Sequence, residues 1–127
     1  NGVDVRIITP FVPDKKFVHQ TTKAYYKELI KRGVKIYEYS PGFIHSKTMI
    51  SDDKIGVVGT INLDYRSLFL HFECAVLMHG THSLIDLKQD FEETLSKCTE
   101  ITYADCINIS PLTKLYRAFL RLLAPLI

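Results

Sequence analysis

Apolar residues recur with two different periods along the chain, and these periods predict strands that alternate with helices. A β-branched run over residues 3–8 is typical of a buried strand, which Thr9-Pro10 would end. Apolar positions at helical spacing over residues 15–32, with lysines on another stripe, predict an amphipathic helix that Gly33 stops. The first third of the chain therefore has the pattern of a strand, a loop and a helix.

The middle of the chain has the pattern of short strands joined by turns. Its apolar and β-branched runs predict strands at residues 34–39, 47–51, 55–58 and 72–78. Asp52-Asp53 supplies the turn between the second and third of these strands. The segment from Gly59 to Ser67 shows no regular period, and we expect it to form a loop.

Two amphipathic helices are predicted in the last third of the chain. Apolar residues at helical spacing over residues 84–95 place a stripe on a surface helix. A second, basic helix is expected at about residues 111–124, after Ser110-Pro111. Its apolar face consists of Leu112, Leu115, Tyr116, Phe119, Leu122 and Leu123. This face could pack on the sheet or lie in a membrane interface, and packing on the sheet is the interpretation we prefer.

Strands that alternate with helices predict an α/β fold, in this case a mixed sheet with helices on both faces, as in an α/β/α sandwich. A chain of 127 residues can bury one core but not two, so residues 1–127 are expected to form a single domain. The link at residues 102–108 is the one boundary to consider. A hydrophobic fraction of 46% excludes a largely disordered chain.

Composition and charge exclude several classes of function. A net charge of +2 is too small to predict a nucleic-acid-binding protein, because binding a polyanion requires several clustered cations. No apolar run reaches the roughly 18 residues of a membrane span. The three cysteines lack C-x-x-C spacing, which indicates a reducing compartment, and no metal site or cofactor is expected. Because the chain opens with Asn directly before a strand, we interpret it as a piece of a longer protein.

The segment around His45 and Lys47 carries the residue types best suited to phosphate chemistry. The pattern His-x-Lys-x4-Asp places His45 and Lys47 two apart at the entry of a strand, so both side chains project to the same side. Asp52 lies five residues beyond Lys47 and would face the other side. A phosphodiester repels nucleophiles and its leaving oxygen needs a proton, so a cation beside a titratable base suits its cleavage. Histidine can also attack phosphorus itself.

A second segment makes a chance match less plausible. Downstream stand Gly59-Thr60-Ile61-Asn62-Leu63-Asp64-Tyr65-Arg66-Ser67 and then His71-Phe72-Glu73. Together they resemble the signature of the phospholipase D superfamily at its usual spacing. Within it the chain is most similar to bacterial cardiolipin synthases, through Tyr37-Glu38-Tyr39-x-Pro41-Gly42-Phe43-Ile44-His45-x-Lys47 and the closing Leu123-Ala124-Pro125-Leu126. The similarity runs nearly end to end, and it is to the C-terminal of two motif-bearing halves.

The resemblance implies catalytic and substrate-binding roles for several motif positions. His45, Lys47 and Asn62 would bind and process the phosphate, and the Thr60 hydroxyl would assist in binding the substrate. Glu73 would accept a hydrogen bond from the His45 ring, which fixes the ring's tautomer and raises its basicity.

Structural roles are implied for the other charged motif positions, Asp52, Asp64 and Arg66. For Asp64 and Arg66 we prefer a contact that shapes the loop over direct contact with the phosphate. Many family members carry asparagine where this chain has His71. We expect this departure to affect only the packing before Glu73.

The resemblance also implies an enzyme that transfers a phosphatidyl group between two phosphatidylglycerol molecules, giving cardiolipin and glycerol through a phosphohistidine. The active site would join two motifs, so the expected partner is a second motif-bearing half in the same longer chain, or a second copy. His45 is the preferred acid/base member, with the nucleophile role left open. The full-length enzyme would act at the cytoplasmic side of the cell membrane on its phospholipid substrate, while this piece alone would be soluble.

Two other functions stay open on the sequence alone. In one, two copies of the chain form a homodimeric nuclease-like phosphodiesterase, with each copy supplying one motif to a shared site. In the other, the chain is an inactive module that binds a membrane or a protein partner, because half a site could fail to stabilise a transition state.

Overall fold

A computed structural model describes residues 2–126 and has the α/β architecture predicted from the sequence. The strands are β1 (Arg6–Pro10), β2 (Lys35–Tyr39), β3 (Thr48–Ser51), β4 (Ile55–Gly59), β5 (Ala75–His79) and β6 (Cys98–Ile101). The α-helices are α1 (Lys16–Lys31), α2 (Ser83–Leu95), α3 (Tyr103–Ile107) and α4 (Pro111–Leu123). A π-helical turn spans Arg66–Leu70, and a 3-10 turn spans Ala124–Leu126.

The strands form two three-stranded sheets, one mixed and one antiparallel. In the mixed sheet, β2 lies between β1, to which it is parallel, and β6, to which it is antiparallel. The helix α1 makes the crossover that a parallel pair requires. The antiparallel sheet has the order β3-β4-β5. Helix α2 contacts β2, β3 and β4, and it therefore joins the two sheets.

The core lies between α1, β2 and α3. Ile36 is 1% exposed and packs with Tyr26 and Cys106, surrounded by partly buried apolar residues. A second close contact joins α2 to the antiparallel sheet at Gly56, where a Cβ atom would lie 2.5 Å from Leu84 Cδ2. A larger residue here would require the buried Leu84 side chain to shift.

A buried charge anchors α1 to β2 in the same region. The Glu38 carboxylate is almost fully buried, and it accepts a hydrogen bond of 3.1 Å from the Tyr26 hydroxyl. Lys23 Nζ lies 3.0 Å from the same carboxylate. Burial raises the pKa of the Tyr26 phenol well above its usual value, and the Thr9 hydroxyl forms a 2.7 Å hydrogen bond with it. The Lys23 ammonium and the Glu38 carboxylate stabilise each other in a region where an unpaired charge would cost folding free energy.

The last helix packs differently from the sequence prediction. Leu120 and Ala124 are buried, Arg117 Nε donates to Gln20 Oε1 of α1 at 3.1 Å, and Arg121 Cζ lies 5.0 Å from the centre of the Tyr25 ring. All residues of the apolar stripe predicted to pack on the sheet except Leu123 are exposed instead, so that prediction is wrong. The physical reason is that α1 contacts the side of α4 carrying Leu120 and Arg117. Over residues 2–126, none of the helices has the length and hydropathy needed to cross a bilayer.

Candidate active site

The ends of three strands bring the motif residues to one edge of the antiparallel sheet. Thr48 pairs with Val58, and Val58 pairs with Val76. The ladder continues past the strands, because Gly59 N donates to Lys47 O at 3.1 Å and Thr60 N donates to Cys74 O at 3.0 Å. Lys47, Thr60 and the residue before Cys74, which is Glu73, therefore meet at the same edge.

The absence of a side chain at Gly59 makes this edge possible. A Cβ atom at that position would lie 2.6 Å from both Cα and Cβ of Ala75 on the neighbouring strand. Real Cβ atoms do not approach other atoms so closely, so a larger residue would push β4 and β5 apart next to Thr60.

His45 and Lys47 are adjacent and accessible. The His45 residue is exposed, and its ring stacks on Phe43 with a centroid distance of 5.5 Å and an interplanar angle of 29°. Lys47 Nζ donates to the His45 carbonyl oxygen at 2.6 Å. An ammonium group has three protons, so Lys47 can hold this carbonyl and still donate to a second acceptor. The pair thus presents a ring and a cation to solvent at the sheet edge.

Glu73 is held by a hydroxyl and an imidazole. Thr60 Oγ1 donates to the Glu73 carboxylate and accepts from Cys74 N at 3.1 Å. His71 Nε2 lies 2.8 Å from the other carboxylate oxygen of Glu73. The Thr60 hydroxyl lowers the pKa of Glu73, with smaller contributions in the same direction from Ser67 and His71. Glu73 is therefore ionised at neutral pH.

The hydrogen bond predicted between Glu73 and the His45 ring is not present among residues 2–126. The bonds of the Glu73 side chain go to Thr60 and His71 instead. The sequence prediction gave His71 only a packing effect, whereas the structure makes it a direct partner of the carboxylate. The spacing contained this signal, because His71 and Glu73 are two residues apart and the His71 backbone is extended, with φ −148° and ψ 170°.

Asn62 is held in the loop by a buried serine. Asn62 Nδ2 donates to Ser67 Oγ at 3.3 Å, and Ser67 is only 7% exposed. Ser67 N donates to Asp64 Oδ1 at 2.7 Å, so the Asp64 carboxylate fixes the backbone at the start of the π-helical turn. Ser67 stands in the motif, but sequence reasoning gave it no role. The Ser67 hydroxyl accepts from the Asn62 amide, and Ser67 also lowers the pKa of Glu73, so it links these two residues.

The remaining charged motif residues, Asp52 and Arg66, lie outside the site. Asp52 and Asp53 have φ values of 49° and 56° and form the turn between β3 and β4. This turn lies at the opposite end of the hairpin from Lys47, about 15 Å away at the usual rise per residue. Arg66 begins the π-helical turn, and its carbonyl oxygen accepts from His71 N at 3.1 Å.

The model of the family described as the cardiolipin synthase, PLD-like domain matches residues 1–95. The matched range includes the sheet edge with His45, Lys47, Thr60, Asn62 and Glu73. This chain belongs to that family. The resemblance noted in the motif residues is therefore confirmed at the level of the family.

Individual relatives of this PLD-like domain align over 79–100% of the chain. A cardiolipin synthase of Geobacillus sp. is 43% identical over 128 residues, which cover 100% of this chain and 25% of that protein. A cardiolipin synthase 2 of Bacillus anthracis is 44% identical over 79% of this chain and 20% of its own length. An uncharacterized protein of Streptococcus mutans is 50% identical over 99% of this chain and 27% of its own length. The chain thus spans about a quarter of the length of the relatives it matches.

The chemical groups at this edge suit a phosphate. An ammonium, an imidazole, an amide and a threonine hydroxyl can all contact phosphate oxygens. In the part of the chain from residue 2 to residue 126, no three His, Cys, Asp or Glu side chains cluster in a way that could hold a metal ion. The strand ends thus carry a cation and an imidazole just before β3 and an ionised carboxylate just before β5.

Proposed function

We propose that this chain supplies one half of an active site that transfers a phosphatidyl group between two phosphatidylglycerol molecules, giving cardiolipin and glycerol. The observation that carries the proposal is the convergence of His45 and Lys47 with Thr60 and Glu73 at one sheet edge, in a member of the cardiolipin synthase family. The second half would come from a second motif-bearing segment of the same longer chain or from a second copy.

The proposed reaction has two displacements at phosphorus. In the first, the imidazole of one half attacks the phosphorus of a phosphatidylglycerol, and the bond to the headgroup glycerol breaks. The imidazole of the other half gives its proton to the leaving glycerol oxygen. In the second, a hydroxyl of another phosphatidylglycerol passes its proton to that second imidazole and attacks the phosphohistidine. The phosphorus–nitrogen bond breaks, and cardiolipin is released.

His45 is assigned the acid/base role in this scheme, with the nucleophile role as the alternative. Its ring is exposed and rests on Phe43, so it can reach a substrate oxygen. Lys47 and the Asn62 amide would balance charge on the phosphate oxygens, and Thr60 would help to fix the substrate. Glu73 would act through His71 and Thr60, with which it forms hydrogen bonds. At the membrane of the cell, this site would face the cytoplasm.

Reconstitution with the missing half tests this function. The chain is mixed with a Geobacillus cardiolipin synthase from which the segment matching this chain has been removed, and with phosphatidylglycerol vesicles. Cardiolipin is then measured by mass spectrometry. We expect cardiolipin from the parent chain, and a loss of about a hundredfold or more for His45→Ala. The exposed His82, at the start of α2, provides the matched control, so His82→Ala should retain full activity.

Two results would contradict the proposal. Cleavage of single-stranded DNA by the chain alone, lost in His45→Ala, would indicate the homodimeric phosphodiesterase instead. Equal cardiolipin yields from the parent and from His45→Ala would show that the sheet edge takes no part in the transfer.

A further inference from the structure

Helix α4 is basic and contains no acidic residue. Over Pro111–Leu123 its charged side chains are Lys114, Arg117 and Arg121. Ser110 caps the helix by accepting from Thr113 N at 3.1 Å, and Pro111 occupies the first turn. The local sequence therefore specifies a well-defined helix start, and the direction of the helix's faces is fixed by its contacts with α1.

The apolar face of α4 points away from the protein body. At 3.6 residues per turn, Leu120, Ala124 and Arg117 share the side that packs on α1. The opposite side carries a stripe of exposed apolar residues, which we call the α4 stripe: Leu112, Leu115, Phe119, Leu122 and Leu126. Leu112, Leu115 and Leu122 are 79%, 70% and 77% exposed. Aliphatic side chains so regularly exposed along one helix mark a contact surface.

The α4 stripe leads to the candidate active site. Pro125 and Leu126, at the end of the stripe, line a shallow depression together with Arg66, Leu70 and His71. His71 in turn contacts Glu73. Beside this depression, Phe69 and Phe72 are 75% and 103% exposed. The end of the α4 stripe thus lies beside His71, which contacts Glu73 at the edge where a phosphate would bind.

Charge selects the kind of partner for this surface. An anionic lipid surface attracts cations beside an apolar face, because the aliphatic stems can lie along the interface while the charges reach the headgroups. On α4, Lys114 is exposed and Arg121 lies over the Tyr25 ring of α1, and α1 itself carries the exposed Lys16, Lys27 and Lys31. This distribution is complementary to a negatively charged bilayer.

We propose that the α4 stripe lies in the interface of an anionic phospholipid bilayer and holds the His45 and Lys47 edge at the level of the headgroups. The proposal rests on the proposed function for the choice of phosphatidylglycerol as the lipid. The docking itself needs only the apolar stripe and its cations. In this arrangement a lipid phosphate would reach the site without leaving the bilayer.

The chain contains no tryptophan, so the fluorescence of one introduced tryptophan reports on this contact alone. The parent chain is changed at Phe119→Trp, and the fluorescence is followed as vesicles of phosphatidylglycerol are added. We expect a shift of the emission to shorter wavelength and quenching by brominated acyl chains. Ile85 is 62% exposed on α2 and provides the matched control, so Ile85→Trp should show neither effect.

Charge substitutions measure the strength of the docking. Leu115→Glu and Leu122→Glu should each weaken vesicle binding by roughly tenfold or more, because a buried leucine is lost from the interface. Ile85→Glu adds the same charge elsewhere and should leave the affinity unchanged. Circular dichroism of each variant checks that the helices remain folded.

The outcomes separate this inference from the proposed function. A parent chain that binds vesicles but forms no cardiolipin together with the missing half would contradict only the proposed function. An unchanged emission of Phe119→Trp with vesicles would overturn the docking. Short-wavelength emission of Phe119→Trp already in the absence of lipid, together with dimers in sedimentation, would also overturn the docking. That result would assign the α4 stripe to contact with a second copy of the chain.

Discussion

The His71 imidazole lies 2.8 Å from the Glu73 carboxylate, and this contact replaces the bond to His45 expected from the family resemblance. The carboxylate side chain is 12% exposed, whereas the imidazole is 46% exposed. Glu73 is therefore shielded at the sheet edge while His71 faces the depression shared with Pro125 and Leu126. His71 is positioned to couple the carboxylate to whatever occupies that depression.

Replacing His71 should affect transfer more than stability. A contact made by a half-exposed side chain such as the His71 ring contributes at most about 1 kcal/mol, so His71→Leu should change the free energy of unfolding by less than that. Cardiolipin formation in the reconstituted system should fall, because Glu73 loses a partner beside the substrate. His71→Asn, which keeps a hydrogen-bond donor, should retain more activity. Equal rates for the two variants would argue against a positioning role.

The Thr60 hydroxyl should make stability depend on pH through Glu73. The pKa of Glu73 in the folded state lies below its usual value of 4.5, chiefly because Thr60 donates to the carboxylate. The resulting stabilisation is present above the unfolded-state pKa and is lost as the pH falls through the lower folded-state pKa. We expect Thr60→Val to be less stable than the parent at pH 7, with a difference that shrinks in acid.

Urea denaturation at pH 7 and at pH 3 measures this difference. Thr60→Ser keeps the hydroxyl and should follow the parent at both pH values. A Thr60→Val penalty of the same size at both pH values would mean that the methyl packing, and not the carboxylate, is responsible.

Gly59 should tolerate no side chain. Gly59→Ala is expected to lower the free energy of unfolding by about 1–3 kcal/mol, because the new methyl group meets the Ala75 backbone between β4 and β5. Gly42 has open space around its Cβ position, so Gly42→Ala is the control and should be nearly neutral. Thermal or urea unfolding followed by circular dichroism is sufficient. A stable Gly59→Ala protein would show that these strands can separate at low cost.

The buried Glu38 should depend on Lys23. Lys23→Met leaves a buried carboxylate without its cation, so we expect a loss of about 3 kcal/mol in the free energy of unfolding. Glu38→Gln in the same protein should recover part of that loss, since the Tyr26 hydroxyl can still donate to the amide oxygen. Lys27→Met, on the exposed part of α1, serves as the comparison. Additive effects of Lys23→Met and Glu38→Gln would contradict the pairing.

Much of the fold could be predicted because the periodic segments are long. The helix α1 has sixteen residues and a glycine stop, and the hairpin of β3 and β4 has an Asp-Asp turn, so local pattern determined each. The strand β6 was missed. Its four residues have no alternation, and it is a strand because it pairs with β2. The five-residue α3 was also missed, although its capping box at Thr102 and Asp105 is visible in the sequence.

The site was predictable to the extent that it depends on residues close in the chain. His45 and Lys47 lie two residues apart just before β3, so their proximity follows from the sequence. The partner of Glu73 instead depends on which strand ends meet. The direction of the α4 stripe could not be predicted for a similar reason. The sequence of a helix with two possible contact faces does not specify which face packs against a neighbouring helix. In this structure α1 packs against the face that carries Leu120.

Binding of a phosphodiester at this sheet edge is tested by titrating the chain with glycerophosphoglycerol, the water-soluble headgroup diester. The titration is followed by nuclear magnetic resonance of histidine rings and side-chain amides. We predict that the His45 ring and the Asn62 amide shift together and saturate, that His79 and His82 stay unchanged, and that Lys47→Gln abolishes the response. Shifts that leave His45 and Asn62 untouched, or that persist at full amplitude in Lys47→Gln, would contradict the assignment of this sheet edge to a phosphodiester.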